Sequence, residues 1–436
     1  MASGGRYPYI DGVPEAIAGD AVAAGDHTAA PDPPTLDSRV PDPPAGTADR
    51  DARGSGGWRG SLLFGLWTWL GGLLACVLVT AVAWLPFEQL RDAPRTLGEV
   101  LDNWHRWDTT WYVIIAQSGY RYDPRGAAFF PLYPLLVRGA DRLVPGDAFV
   151  AALVVAVLTC YAALVVIHRL TDEILGAEVA RRTIFYLLAF PTGFFLIAAY
   201  NESLFLALAV GSLYCMRRRV WWLAAVLAGL ASGTRLAGAL LAVVFVYEYL
   251  RQRGFSPRRI RPDLLWAGLA PAGLVAYAWY CARTFGDPLY FQAAQGVWSR
   301  SGFSAPWTTL IDVTRMIVHA PVLLSPTEIR NIINLGTALA VLALLYLALD
   351  GRWRLGREQS YLVLFAAMDI ALPLLSPLRT DYPLSSLWRF ALECVPVFMV
   401  LARMGRNQTF DRLYLMAALP VQGVMILTFV QNQFVA

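Results

Sequence analysis

The chain contains eleven almost entirely apolar stretches, separated by polar connections. A helix needs about 20 mostly apolar residues to cross a bilayer, and the first stretch, 62–86, is long enough to do so. Several later stretches are shorter, and two tight hairpins among them are also compatible with re-entrant elements. The pattern predicts an all-α integral membrane protein, a polytopic bundle of about eleven transmembrane helices. The other ten stretches are 149–169, 183–200, 203–216, 220–234, 237–250, 263–282, 331–349, 359–376, 389–402 and 413–430.

The arginines between these stretches indicate which loops face the cytosol, because cytosolic loops are enriched in basic residues. Arg50, Arg53 and Arg59 precede the first stretch, which predicts a cytoplasmic N-terminus. Alternating sides from there leaves 87–148 and 283–330 as the two large outer loops. The same alternation puts every dense Arg cluster inside the cell, namely those at 181–182, 217–219, 251–261, 352–357 and 403–412.

Composition narrows the class of protein. The chain is 57% hydrophobic and 16% charged, whereas soluble domains carry about 25% charged residues. Its net charge of +4 is spread over short loops, which argues against nucleic-acid binding. All of its basic residues are Arg, as is typical of a GC-rich bacterial genome, so we expect a multi-pass protein of the bacterial plasma membrane.

The N-terminal residues differ from the rest of the chain. Residues 1–56 carry nine acidic residues against four Arg and cannot bury enough apolar surface to fold. We therefore expect a disordered acidic cytosolic tail at 1–56, followed by one transmembrane domain at 57–436.

The first outer loop holds the most concentrated candidate chemistry, in the stretch from Asn103 to Leu136. Asp108 lies between Trp107 and Trp111, and further aromatic residues and three prolines follow it. A carboxylate against an apolar wall tends to have a raised pKa and can serve as a general base. The alternative is an interfacial aromatic belt in which Asp108 only caps a helix.

Other charged side chains lie at predicted outer helix ends, where Glu202 and Arg235 occupy short hairpin turns. Arg235, Arg300 and Arg389 could together hold a phosphate, because a guanidinium offers a planar fork of donors and a permanent charge. They could equally pair with acidic residues or contact lipid headgroups. The outer loops carry no Asp-x-Asp motif, and the cysteines and histidines are scattered, so we predict neither a metal nor a cofactor.

Five motifs follow one another along residues 60–405. They are WDTTWYVIIAQSGY with AAFFPLYPLLVR, FPTGFFLIAAYNESLF, LAGLASGTRLAGALL, FGDPLYFQAAQGVWSR and SLWRFALECVPVF. In this order they resemble the PIG-V family of mannosyltransferases, membrane enzymes of the glycosyltransferase-C fold class. The chain departs from the family pattern at Asn201, where Thr or Ser is usual, at Trp388, where Pro is commoner, and in its acidic tail.

The resemblance implies a function. Such enzymes transfer a sugar, usually mannose, with inversion from a polyprenyl-phosphate donor on the extracytoplasmic side. The acceptor would be a glycolipid such as a phosphatidylinositol mannoside, or a protein hydroxyl, and membrane lipid would surround both substrates. Asp108 would be the base, and Arg235 and Arg389 would stabilise the leaving phosphate, with Arg300 as the third choice.

The remaining candidates would bind substrate. Glu202 would orient an arginine or bind sugar hydroxyls. Trp107, Trp111 and Tyr120 would stack on sugar or isoprenoid, and Gln295 is a further substrate-binding candidate. Two other classes of protein remain open. One is a transporter or flippase of a lipid-linked sugar, which normally needs charged residues at mid-membrane and internal repeats. The other is a non-catalytic membrane scaffold.

Overall fold

A computed structural model describes residues 57–83, 96–300, 302–322 and 325–435. The predicted disordered tail, 1–56, lies outside these residues, as does the start of the first outer loop. The described part of the chain is all-helical. Its seventeen α-helices are α1 Gly57–Ala83, α2 Leu97–Asp102, α3 Asp108–Ser118, α4 Leu132–Ala140, α5 Ala148–Leu175, α6 Ala177–Ala189, α7 Glu202–Arg217, α8 Trp221–Ser232, α9 Leu241–Gln252, α10 Ala272–Phe285, α11 Tyr290–Ala294, α12 Pro306–Val318, α13 Pro326–Leu349, α14 Ser360–Leu375, α15 Leu387–Phe390, α16 Val395–Met404 and α17 Gln408–Val430.

Several of these helices are long and apolar enough to cross a membrane, which confirms a helical membrane protein. Within the described residues there are five such spans, and six if Pro262–Leu269 and α10, bent by 43° against each other, count as one. The other predicted spans correspond to shorter helices, so the number eleven stays a prediction. The five are α1, α5, α13, α17 and Arg357–Leu375.

The stretch 183–200 is shorter as a helix than its apolar length predicts. Helix α6 ends at Ala189, and Pro191 and Gly193 follow. The residue before a proline is biased away from the α conformation, and a Cβ at position 193 would overlap the carbonyl oxygen of Leu188. The chain therefore leaves the helix and continues as the 3-10 segment Gly193–Leu196. The hydropathy pattern does not reveal this end of the helix, because the residues that follow it are also apolar.

Helix α5 packs against α1, α6 and α7. The residues that it buries include the small Ala151, Ala152, Ala156 and Ala163, and small side chains let neighbouring helices approach closely.

Helices α7, α8 and α9 bring the candidate residues to one end of the bundle. Glu202 begins α7, and Arg235 follows the end of α8 and precedes α9. The opposite ends of the same three helices carry Arg217, Arg219 and Arg253. Helix α7 has 16 residues, so the two ends are about 24 Å apart at 1.5 Å per residue.

Both predicted outer loops contain regular structure in their described parts. The first loop contains α2, α3, the 3-10 segment Pro124–Ala128 and α4, and the second contains α11 and α12. An isolated antiparallel bridge between Arg300 and Leu378 attaches the second loop to the chain that follows α14. Phe303 and Trp307 of this loop are exposed, as is typical of an amphipathic element at a membrane surface.

Candidate active site

Arg389 joins two of the predicted acidic residues into one ion-pair network. Its Nη1 lies 2.9 Å from Oδ2 of Asp108, and its Nε lies 2.8 Å from Oε1 of Glu202. Glu202 is fully buried, whereas the Asp108 side chain keeps 26% of its surface exposed. Asp108 is thus the more accessible of these two carboxylates, and its partner is a guanidinium in addition to the aromatic surroundings that the sequence predicts.

Arg235 continues the network from Glu202 to a third acid. Its Nη2 lies 3.5 Å from Oε1 of Glu202, and its Nη1 donates a short hydrogen bond to Oε1 of Glu393. Glu393 is not among the site residues predicted from the sequence. The signal that could have found it is an acidic residue in the apolar run ALECVPVF, four positions after Arg389, since a charge in such a run needs a partner.

Single hydrogen bonds between distant turns hold these residues in place. Asn201 donates from Nδ2 to the carbonyl oxygen of Thr234, which links the turns that carry Glu202 and Arg235. The hydroxyl of Thr109 donates to the carbonyl oxygen of Ala199, and this bond fixes the first turn of α3 beside α7. Thr192 donates to the carbonyl oxygen of Trp388, next to Arg389.

The backbone before Asp108 is strained. Trp107 has φ 52° and ψ −115°, a region that non-glycine residues avoid and that costs about 1–3 kcal/mol. The strained residue directly precedes the first residue of α3, and the indole of Trp107 packs edge-on against Phe434 at 5.3 Å. Such strain persists only where the surroundings hold it, and it is commoner at functional sites.

The three predicted arginines converge on one ring. Phe390 has the guanidinium carbons of Arg235, Arg300 and Arg389 at 5.1, 5.9 and 5.8 Å from its centroid. A ring face attracts cations but carries no net negative charge. Phe390 therefore gathers positive charge without neutralising it.

Arg300 differs from the other two arginines. Its Nη1 donates to the carbonyl oxygen of Ser376 at 3.0 Å, and among the described residues it has no acidic partner. Burial, together with the charges of Arg389 and Arg235, lowers the pKa of Arg300 from 12.5 to about 10. Its charge is retained at neutral pH but is uncompensated, which favours an anion beside it.

An aromatic group lies on the first-loop side of the site. Trp111 stacks on Phe129 with ring centroids 5.8 Å apart, and Trp298 stands edge-on to both rings at 5.5 and 5.9 Å. Trp298, from the motif that also contains Arg300, keeps 38% of its surface exposed. The group offers flat apolar faces of the kind on which sugar rings stack.

Two of the predicted substrate-binding residues have structural contacts instead of contacts with the ion pairs. Tyr120 is buried in a small aromatic cluster with Tyr277, and its hydroxyl donates to the carbonyl oxygen of Phe129. Gln295 donates from Nε2 to the carbonyl oxygen of Ala128. Gln295 therefore attaches the second loop to the first, and Tyr120 packs the first loop against Tyr277 of α10.

The arrangement combines one accessible carboxylate, two paired arginines and one uncompensated arginine. A carboxylate can accept a proton from a hydroxyl, and fixed guanidiniums can stabilise an anionic leaving group. No group of three or more His, Cys, Asp or Glu residues that could hold a metal ion occurs in the described part of the chain.

Comparison with known proteins finds a family for part of the chain. Residues 92–260 match the family model described as Mannosyltransferase (PIG-V). The matched part contains Asp108, Glu202 and Arg235, whereas Arg300, Arg389 and Glu393 lie beyond it.

Individual relatives agree with this match. The GPI alpha-1,6-mannosyltransferase 2 of Cricetulus griseus is 33% identical over 162 residues, which cover 34% of this chain and 32% of the relative. The enzyme of the same name from Mus musculus is 32% identical over 175 residues, 37% of this chain and 34% of the relative. The GPI mannosyltransferase 2 of Aspergillus fumigatus is 27% identical over 239 residues, 49% and 47% of the two chains. The chain thus spans between about a third and half of the length of these curated relatives.

Proposed function

From the match of residues 92–260 to the PIG-V mannosyltransferase family model, we propose that the chain is a member of this family and an inverting mannosyltransferase. It moves mannose from a polyprenyl-phosphate-mannose donor to an acceptor hydroxyl on the extracytoplasmic face of a bacterial plasma membrane. The acceptor is a glycolipid, such as a phosphatidylinositol mannoside, or a protein. The fold that carries the reaction is a glycosyltransferase-C bundle. The observation that carries the proposal is the network Asp108–Arg389–Glu202–Arg235, with Arg300 beside it.

Asp108 is the general base of this reaction. It takes the proton of the acceptor hydroxyl as that oxygen attacks the anomeric carbon from the face opposite the phosphate. The bond between the anomeric carbon and the phosphate oxygen breaks, and the polyprenyl phosphate leaves with the electron pair. Asp108 suits the role because its side chain is the most exposed of the carboxylates in the network, and because Arg389 fixes its orientation at 2.9 Å.

Arg300 is the main contact of the donor phosphate, and Arg235 and Arg389 add to the positive field. This reverses the order of preference drawn from the sequence. Arg235 and Arg389 already have acidic partners, whereas Arg300 has none among the described residues. Glu202 and Glu393 are positioning residues that hold the two paired guanidiniums. Trp111, Phe129 and Trp298 form the surface against which the sugar lies.

The test is transfer of radiolabelled mannose from a short-chain polyprenyl-phosphomannose in membranes that contain the protein. Lipid and protein fractions are followed separately, so the labelled fraction identifies the acceptor class. Asp108→Asn is expected to lower the rate by about 10²- to 10⁴-fold, the usual contribution of a general base. The matched control is Asp141→Asn, an exposed carboxylate later in the same loop, which should transfer at the wild-type rate.

Two outcomes would contradict the proposal. Equal label from the wild type and Asp108→Asn would remove Asp108 as the base. Absence of label from the correctly inserted wild type, with lipid and protein acceptors both supplied, would exclude the donor named here.

A further inference from the structure

A second concentration of arginines lies at the end of α7, α8 and α9 that is opposite the candidate active site. A cavity of about 620 Å³ opens there, lined by five arginines and one acid. Its charged lining residues are Arg219, Arg253, Arg258, Arg259, Arg261 and Asp263. The active-site mechanism uses none of them, and at about 24 Å, the length of α7, the cavity is too far from Asp108 to contact the same substrate group.

Ion pairs and hydrogen bonds hold the side chains along one side of the cavity in place. Arg253 lies over the ring of Tyr249 at 3.6 Å and pairs with Asp263 at 2.9 Å. The Tyr249 hydroxyl donates a short hydrogen bond to Asp263, and it accepts one from the backbone N–H of Arg261. Arg219 is held from the other side by Gln252 at 3.0 Å. These contacts keep two guanidiniums in position, so less side-chain entropy is lost when an anion binds.

The other three arginines of the cavity are uncompensated. Arg258, Arg259 and Arg261 are exposed, and within the part of the chain that the structure describes they form no ion pair. An adjoining cavity of about 450 Å³ is different, because Glu173, Glu248 and Glu358 line it together with its arginines. There Glu248 pairs with Arg251 at 2.6 Å. The larger cavity, with five arginines and one acid, therefore keeps a larger net positive charge for a ligand than the smaller cavity, with four arginines and three acids.

Apolar side chains flank the same arginines and face outward. Leu265 is 81% exposed, and Phe255, Ile260 and Trp266 are also exposed. Leu265 and Trp266 belong to Pro262–Leu269, the first half of the bent candidate span. A soluble phosphate would make no use of this surface, whereas acyl chains would cover it while the headgroup lies among the arginines.

We propose that this cavity binds the phosphate headgroup of an anionic membrane lipid. Arginine suits that ligand because its planar fork donates two parallel hydrogen bonds to phosphate oxygens. Basic pockets between membrane helices, on the face where basic loops gather, are a known setting for such headgroups. The site is independent of the proposed transferase reaction, so its test does not depend on activity.

The test measures lipid binding to the purified full-length protein in neutral detergent micelles, by native mass spectrometry and by the shift of the thermal unfolding midpoint. The lipid is dioleoyl phosphatidylglycerol, with dioleoyl phosphatidylcholine for comparison. The variant is Arg258→Gln, Arg259→Gln and Arg261→Gln combined, which removes exposed groups that the fold does not need. The matched control combines Arg352→Gln, Arg354→Gln and Arg357→Gln, three arginines of another loop.

The wild type and the control should bind phosphatidylglycerol with the same affinity, and the cavity variant about 10- to 100-fold more weakly, from the usual contribution of a basic residue near an anionic headgroup. Phosphatidylcholine should bind weakly to all three proteins. An equal loss in the control would overturn the site, because only overall charge would then matter. Binding of sn-glycerol 3-phosphate or inorganic phosphate as tightly as the lipid would overturn the assignment to a lipid.

Discussion

Replacing Arg300 with Gln separates a functional cation from a structural one. Wild-type Arg300 is a buried cation whose neighbours Arg389 and Arg235 are also positive, and these conditions lower its pKa from 12.5 to about 10. A change of that size corresponds to about 3 kcal/mol against the charged form, at about 1.4 kcal/mol per pKa unit. The folded protein carries this cost at every pH below about 10, because Arg300 stays protonated there in the folded and unfolded states.

Removing the charge also removes a favourable contact. The hydrogen bond from Arg300 to the carbonyl oxygen of Ser376 is of the charged kind, which contributes about 1.5–3 kcal/mol. The two effects nearly cancel, so Arg300→Gln should leave the free energy of unfolding unchanged or raise it slightly. As the pH rises through 10, the folded wild type can lose the proton and the cost disappears. The free energy of unfolding of the wild type should therefore increase relative to that of the variant.

Donor binding, unlike stability, should be clearly weakened by Arg300→Gln. If Arg300 holds the donor phosphate, its loss removes a charge-assisted contact of about 1.5–3 kcal/mol, and the apparent KM for polyprenyl-phosphomannose should rise about 10- to 100-fold. The assays are thermal unfolding in detergent and mannose transfer at varied donor concentration. A clear fall in the unfolding midpoint, with an unchanged donor KM, would refute both the charge reasoning and the role of Arg300.

Two further substitutions test how the site is built. Arg389→Gln leaves the fully buried Glu202 and the adjacent Asp108 without their shared cation. The substitution should therefore lower the free energy of unfolding by about 3–5 kcal/mol. A thermal unfolding midpoint equal to that of Arg300→Gln would contradict this. Gly238→Ala adds a Cβ that would overlap the backbone of Ala231 and Ser232, so thermal unfolding should report a loss of about 1–3 kcal/mol and transfer should fall because Arg235 is displaced. Gly336→Ala, where nothing lies within 4 Å, is its control and should leave stability equal or higher.

The sequence by itself determined the class of protein and much of the site. Long apolar stretches need a bilayer or a core, and charges between them are costly unless they have a role. Both properties are local, so they can be read from consecutive residues. On this basis Asp108, Glu202, Arg235 and Arg389 are predicted as candidates, and the structure brings these four side chains into one ion-pair network.

Helix lengths were less accessible from the sequence. The stretch 183–200 is apolar throughout, yet α6 ends at Ala189. Pro191 gives a local reason for that end. Gly193 depends on the fold, because the lack of a Cβ matters only once the carbonyl oxygen of Leu188 lies against it.

Only the tertiary structure decided which charges have partners. Arg235 and Glu393 are 158 positions apart in the chain, and no local pattern joins them. The sequence also does not distinguish Arg300 from Arg235 and Arg389. In the structure Arg300 differs from them, because it has no acidic partner among the described residues. The physical reason is that a charge is compensated or left uncompensated by distances across the fold, and these distances exist only after the helices have packed.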